Sequence, residues 1–120
     1  MQIRNAVQEK SGLPLSPIRL LAVIVLYKLT PAKSRSLQSL LAAKEEIAGD
    51  RFHLKIFLYD NTPGGQDPDA LAEGVEYEAA HANRGLASAY NRALEIATEH
   101  NFDWFLTLDQ DTTLPHSFLT

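Results

Sequence analysis

A chain of 120 residues, 45% hydrophobic and 22% charged, has the balance of one small globular domain or a piece of a larger one. Its formal net charge of −4 gives it no general attraction for nucleic acid or anionic membranes, and the lack of cysteine excludes disulfides and thiolate chemistry. No apolar run approaches the ~20 residues of a membrane span. Gln2, Arg4, Asn5, Gln8, Glu9 and Lys10 break up the apolar core a signal peptide would need, so a cytoplasmic location is expected, including the inner membrane face for a longer protein.

Residues 1–18 carry weak structural signals and contain the loop-like SGLPLSP, which reads as an N-terminal tail or short helix ahead of a domain over 19–120. Leu20–Tyr27 (LLAVIVLY) is a near-continuous apolar run, as expected of a strand covered on both faces of a parallel sheet. Thr30-Pro31 supplies a helix cap and a first-turn proline. Leu37, Leu40, Leu41 and Ile47 then form a helical apolar stripe that Gly49 ends. Leu54–Tyr59 (LKIFLY) is a second strand closing on Asp60-Asn61, and TPGGQDPD after it is turn chemistry.

Val75–Ala79 makes a short third strand. From Leu86 to His100, apolar residues at Leu86, Ala89, Tyr90, Ala93, Leu94 and Ala97 repeat every three or four positions, which predicts a helix. The stretch Phe102–Leu114 (FDWFLTLDQDTTL) adds a fourth buried strand over Trp104–Leu108, halted by Asp109 and Asp111. Strands alternating with helices predict an α/β, Rossmann-like and mostly parallel sheet with flanking helices. In such sheets ligands bind beyond the carboxyl ends of the strands, where the strand order reverses. Tyr27-Lys28, Asp60-Asn61, His81–Gly85 and Asp109–Asp111 are all expected to converge on that edge.

Only Gln110 separates Asp109 from Asp111. Residues two apart on a strand, or on extended chain leaving it, share a side, and like charges held close need a cation or proton between them. Mg2+ and Mn2+ favour such oxygen ligands and complete their shell with water and substrate phosphate. Two solvated loop acids are the plainer alternative. Asp60 either accepts a hydrogen bond from the imide of a pyrimidine base or caps its own turn. Gly85 lets backbone approach a ligand at a helix N-terminus, where free N–H groups face an anion, while Asn83 serves as a cap. Arg84 is a solvated helix-start residue or a phosphate partner. Tyr27 stacks on a base or covers the sheet edge. His53, His81, His100 and His116 fall at no metal-binding spacing and read as surface residues.

Taken together, AVIVLY, FLYDN, NRGLASAYNRALEIA and FLTLDQDT resemble the N-terminal half of a family 2-type inverting glycosyltransferase of GT-A fold, the group that includes bacterial rhamnosyltransferases of polysaccharide biosynthesis. The likeness runs from Leu20 to Thr120. It implies a nucleoside-diphosphate sugar donor, dTDP-rhamnose or a UDP-sugar, and a glycan or lipid-linked acceptor. By the same resemblance Asp60 reads the base and Tyr27 lines its pocket, while Gly85 and Asn83 shape the donor site. Asp109 faces the ribose or the metal's water shell, and Asp111 holds the Mg2+ or Mn2+ that bridges the two phosphates. The family's catalytic base lies well beyond this motif, and only nine residues follow Asp111. The expectation is therefore a donor-binding part without turnover of its own. Two rivals remain. DQDTTL also satisfies the D-x-D-x-[TV]-[LV] signature of haloacid-dehalogenase-like phosphatases, with Asp109 as nucleophile and Asp111 as acid/base, although that motif normally opens its domain. The other is a non-catalytic nucleotide-binding or scaffold module.

Overall fold

A computed structural model describes residues 2–5, 17–46, 52–68, 70–80 and 85–115. In chain order these form β1 (Gln2–Asn5), β2 (Ile18–Leu26), a 3-10 turn (Pro31–Lys33), α1 (Arg35–Glu46), β3 (Phe52–Asp60), β4 (Val75–Ala79), α2 (Gly85–Glu99) and β5 (Trp104–Asp109). The sheet order is β1-β5-β2-β3-β4. β5, β2, β3 and β4 run parallel to their neighbours, so the α/β Rossmann-like architecture is as the sequence predicts.

At the N-terminus the reading needs correction. Gln2–Asn5 is neither tail nor helix but a strand, antiparallel to β5 from Gln2↔Thr107 to Asn5↔Trp104. Four residues are too few to show a period. What places them is the outer edge of β5, whose backbone N–H and C=O groups need partners.

The two central strands, nine residues each, are covered on both sides because alternate residues serve two cores. Leu20, Ala22, Ile24 and Leu26 of β2 join Leu54, Ile56 and Leu58 of β3 against Leu37, Leu40 and Ala43 of α1. On the other side Leu21 and Val23 join Phe57, Tyr59 and Phe105 against Ala89, Ala93 and Ala97 of α2. Each fully buried Leu, Ile or Phe contributes about 1.5–3 kcal/mol of apolar burial, so a one-residue slip of β2 would misplace every one of them. One helix therefore lies on each face, the doubly wound arrangement.

The start of α1 and the buried face of α2 differ in detail from expectation. Thr30 makes no side-chain cap, and Pro31 opens the 3-10 turn instead. The cap of α1 is Ser34, whose hydroxyl accepts the Leu37 N–H at 3.3 Å. Ile47 and Gly49, read as the end of this helix, lie outside the described residues. In α2 Ala89, Ala93 and Ala97 face the sheet, whereas Leu86 and Leu94 of the expected apolar stripe are 68% and 42% exposed. The helix stops at a left-handed Asn101 (φ 57°), with the Phe102 N–H bonded to the Ala97 carbonyl at 2.9 Å, the closing bond of a Schellman turn.

Register fixes where the strand ends meet. Val25 pairs with Asp109, Leu26 with Asp60, and Asp60 with Ala79, so the carboxyl ends of all four parallel strands form one rim. The chain steps outward from β2 to β3 and β4, then α2 carries it back to β5 on the opposite side of β2. The reversal point lies between β2 and β5.

Candidate functional site

The loops leaving β2 and β5, with the start of α2, line an open hollow of about 480 Å³ at this reversal. Tyr27, Asn61, Gly85, Asp109, Gln110 and Asp111 are among its lining residues. Four residues singled out from the sequence, Tyr27, Gly85, Asp109 and Asp111, are thus brought together. A second hollow of about 490 Å³ shares Val25, Leu86 and Asp109 with the first and continues along α2 to Tyr90 and Asn91. Asn83, His81 and Arg84 lie outside the described residues.

Asp109 and Asp111 are both exposed, but strand alternation does not align them. β5 ends at Asp109, and Gln110 and Asp111 already form a turn. That turn is held by three serines of the α1 region that sequence reading passed over. The Ser34 hydroxyl donates to the Gln110 carbonyl at 2.8 Å. The Ser36 hydroxyl donates to the Asp109 carbonyl and accepts the Thr112 N–H, the latter at 2.9 Å. Ser39 accepts the Leu114 N–H at 3.1 Å. Ser34 and Ser36 are fully buried, where an unmet backbone group would be costly. Their spacing on the sheet-facing side of a helix start was the one available signal, and it reads equally well as ordinary capping.

Tyr27 sits 40% exposed at the rim. Its backbone is gripped by the Gln110 side chain: the Tyr27 N–H donates to Oε1 at 2.8 Å, and Nε2 donates to the Tyr27 carbonyl at 3.3 Å. Lys28 follows in the left-handed region (φ 53°), pinned by its N–H donating to the Thr62 hydroxyl at 2.7 Å. Its ammonium lies 5.2 Å from the centre of the Tyr27 ring. Asn61 closes the far side, with its backbone N–H on the Leu26 carbonyl at 2.8 Å and its amide on the Gly85 carbonyl at 3.2 Å. Gly85 opens α2 at φ 79°, and a Cβ there would meet nothing within 4 Å. Backbone conformation, not crowding, requires glycine at this position.

Asp60 reaches the expected edge but faces away from this hollow's work. It is fully buried, and its carboxylate accepts the Thr62 N–H at 2.9 Å, the Gln66 side-chain amide at 3.0 Å and the Tyr77 hydroxyl. Burial pushes the Asp60 carboxyl up, yet the hydrogen bonds from Thr62, Tyr77 and Gln66 together outweigh it and hold the group below its ordinary value. Burial and the bond to Asp60 push the Tyr77 phenol up to about 12. Gln66 also donates to the Leu29 carbonyl at 3.0 Å, so this network ties the glycine-rich loop to the loop after β2. The surroundings of Asp60 make it a loop anchor. They leave the base-edge contact expected from sequence without a free carboxylate.

Asp109 and Asp111 are the carboxylate donors at this rim, the ligand type a hard divalent ion takes. Asp109 and Asp111 offer two exposed carboxylates to one hollow. Among the described residues no group of three or more His, Cys, Asp or Glu side chains is placed to hold a metal ion. No helix among the described residues is long and apolar enough to cross a membrane. Compared with known proteins, the chain matches no protein-family model, no curated protein and no solved structure.

Proposed function

We propose that the chain is the donor-binding part of a glycosyltransferase, taking a nucleoside-diphosphate sugar of the UDP-sugar or dTDP-rhamnose class for transfer to an acceptor hydroxyl on a glycan or lipid-linked chain. The observation that carries this reading is the meeting of Tyr27, Gly85, Asp109 and Asp111 in one hollow at the β2–β5 reversal. Its volume of about 480 Å³ lies within the roughly 300–1,000 Å³ usual for small-ligand sites. Tyr27 offers a ring for the base to stack on. The start of α2 at Gly85 presents positive helix-end potential to the diphosphate. Asp111 and Asp109 would hold Mg2+ or Mn2+ at this rim. When bound, the ion supplies Lewis-acid stabilisation of charge on the departing nucleoside diphosphate. Asp60, Thr62 and Gln66 keep the neighbouring loop in place. No residue here is assigned as catalytic base, whose place in the resembled family is downstream.

Calorimetric titration of UDP and dTDP, with and without Mn2+, tests the assignment. At least one nucleotide should bind with Mn2+ present and weaken about tenfold or more when Mn2+ is removed or in Asp111→Ala, the loss of a charge-assisted contact worth about 1.4 kcal/mol or more. Failure of both nucleotides to bind under either condition contradicts the reading. Hydrolysis of an aryl phosphate that Asp109→Asn abolishes would transfer the site to the phosphatase class.

A further inference from the structure

Gln110 stands between the two rim carboxylates in sequence, but its side chain serves the other wall of the hollow. Its amide accepts from the Tyr27 N–H and donates to the Tyr27 carbonyl, doing with one side chain what a facing strand residue does with its backbone. The β2–β5 pairing, whose last rung is Val25↔Asp109, is thereby extended beyond the point where β5 turns away. The main chain of the same residue is fixed from α1: its carbonyl accepts the Ser34 hydroxyl at 2.8 Å and the Ser36 N–H at 3.3 Å. One residue thus ties the carboxylate turn, the start of α1 and the rim tyrosine together.

We infer that Gln110 is a positioning residue that couples the two halves of the hollow, so that a divalent ion on Asp109 and Asp111 strengthens nucleotide binding at Tyr27, and nucleotide strengthens ion binding by the same factor. The inference rests on the donor-site reading above. Its physical content is that ordering the Asp109–Asp111 turn also orders the Tyr27 backbone, and linkage makes the effect reciprocal. Nothing else that is described holds Tyr27 to the turn by two hydrogen bonds. Loss of those bonds leaves both sets of binding groups in place but lets them move independently.

The test uses the whole chain with UDP and dTDP as nucleotides, Mn2+ as the ion, and two variants. Gln110→Met keeps the length of the side chain and removes both hydrogen bonds; Gln110→Asn keeps the amide and shortens its reach. Circular dichroism and thermal melting establish that each is folded, and either variant alone suffices. In the wild type Mn2+ should raise nucleotide affinity about tenfold or more; the part due to direct ion–phosphate contact survives in the variants, and the part carried by Gln110, about fivefold or more, should be lost, the lower end of measured site-to-site couplings. Affinity for Mn2+ alone should stay within about twofold, because Asp109 and Asp111 are intact. Amide exchange at Tyr27, read by mass spectrometry without nucleotide so that paramagnetic broadening does not hide it, should be slowed by Mn2+ in the wild type and not in the variants. Variants that keep the wild-type coupling factor, or a Tyr27 amide that ignores Mn2+ in the wild type, overturn the inference while leaving the donor site standing. If the wild type binds neither nucleotide, the donor-site reading falls, and Tyr27 exchange in Mn2+ alone still decides whether Gln110 links turn to rim.

Discussion

Asp60 shows how a charged side chain comes to be fully buried at the end of a core strand. Desolvation opposes it, and three donors from Thr62, Gln66 and Tyr77 overcome that penalty. Removing the carboxylate leaves those donors unmet, so Asp60→Ala should destabilise the fold by about 3 kcal/mol. The pH dependence has a definite sign. A carboxyl held below its ordinary value of 3.8 stabilises the native state above that pH, where both states are ionised. As pH falls below 3.8 the unfolded chain takes up a proton first, and the contribution is lost on passing the lower native value. Urea unfolding across this range should show the advantage of wild type over Asp60→Asn shrinking toward acid; a constant difference contradicts the account. The sequence marked Asp60 as a polar strand end but left base contact and turn cap unresolved. The deciding partner, Tyr77, is seventeen residues away and arrives only through β3–β4 pairing.

Among the elements, α2 combines a legible helix with an illegible face. Leu86, Tyr90 and Leu94 form one stripe and Ala89, Ala93 and Ala97 its neighbour, about 100° round the helix. Hydrophobicity favours the first stripe, yet the second is buried, because Phe57, Tyr59 and Phe105 already fill the space above the sheet and only small side chains fit against them. Tyr90 lies edge-on to Phe105 at 5.4 Å, at the border between the two stripes. Ala93→Leu should therefore overpack the core and cost about 1–3 kcal/mol, whereas Leu94→Ala should change stability by no more than about 0.5 kcal/mol. Chemical denaturation of both variants checks this, and the opposite ranking would mean the helix is rotated. α1 carries a parallel lesson. Its leucines were readable as core, but the serines next to them, Ser36 and Ser39, hold the turn after β5. Contacts spanning some 75 residues leave no local periodicity to read.

For the molecule as a whole, strand order matters more than any single motif. Long apolar runs at β2, β3 and β5 made the parallel sheet legible, and the polar residue closing each run marked the rim. What could not be read was how the rim divides. The side of β2 next to β5 gathers Tyr27, Asp109 and Asp111 into a hollow, while the β3–β4 side uses Asp60 to fasten a loop. A net charge of −4 also makes an anionic donor unwelcome without local positive potential, which the α2 terminus, Lys28 and a divalent ion would provide at this rim. Location is accordingly the central claim, and paramagnetic broadening measures it directly. With UDP or dTDP present, trace Mn2+ added to the isotope-labelled chain should erase amide signals of Tyr27, Gly85, Leu86 and Gln110–Thr112 first, leaving Ile18, Phe52 and Trp104 at the opposite edge sharp. Broadening centred on that opposite edge, or spread evenly over the surface, would contradict a donor site between β2 and β5.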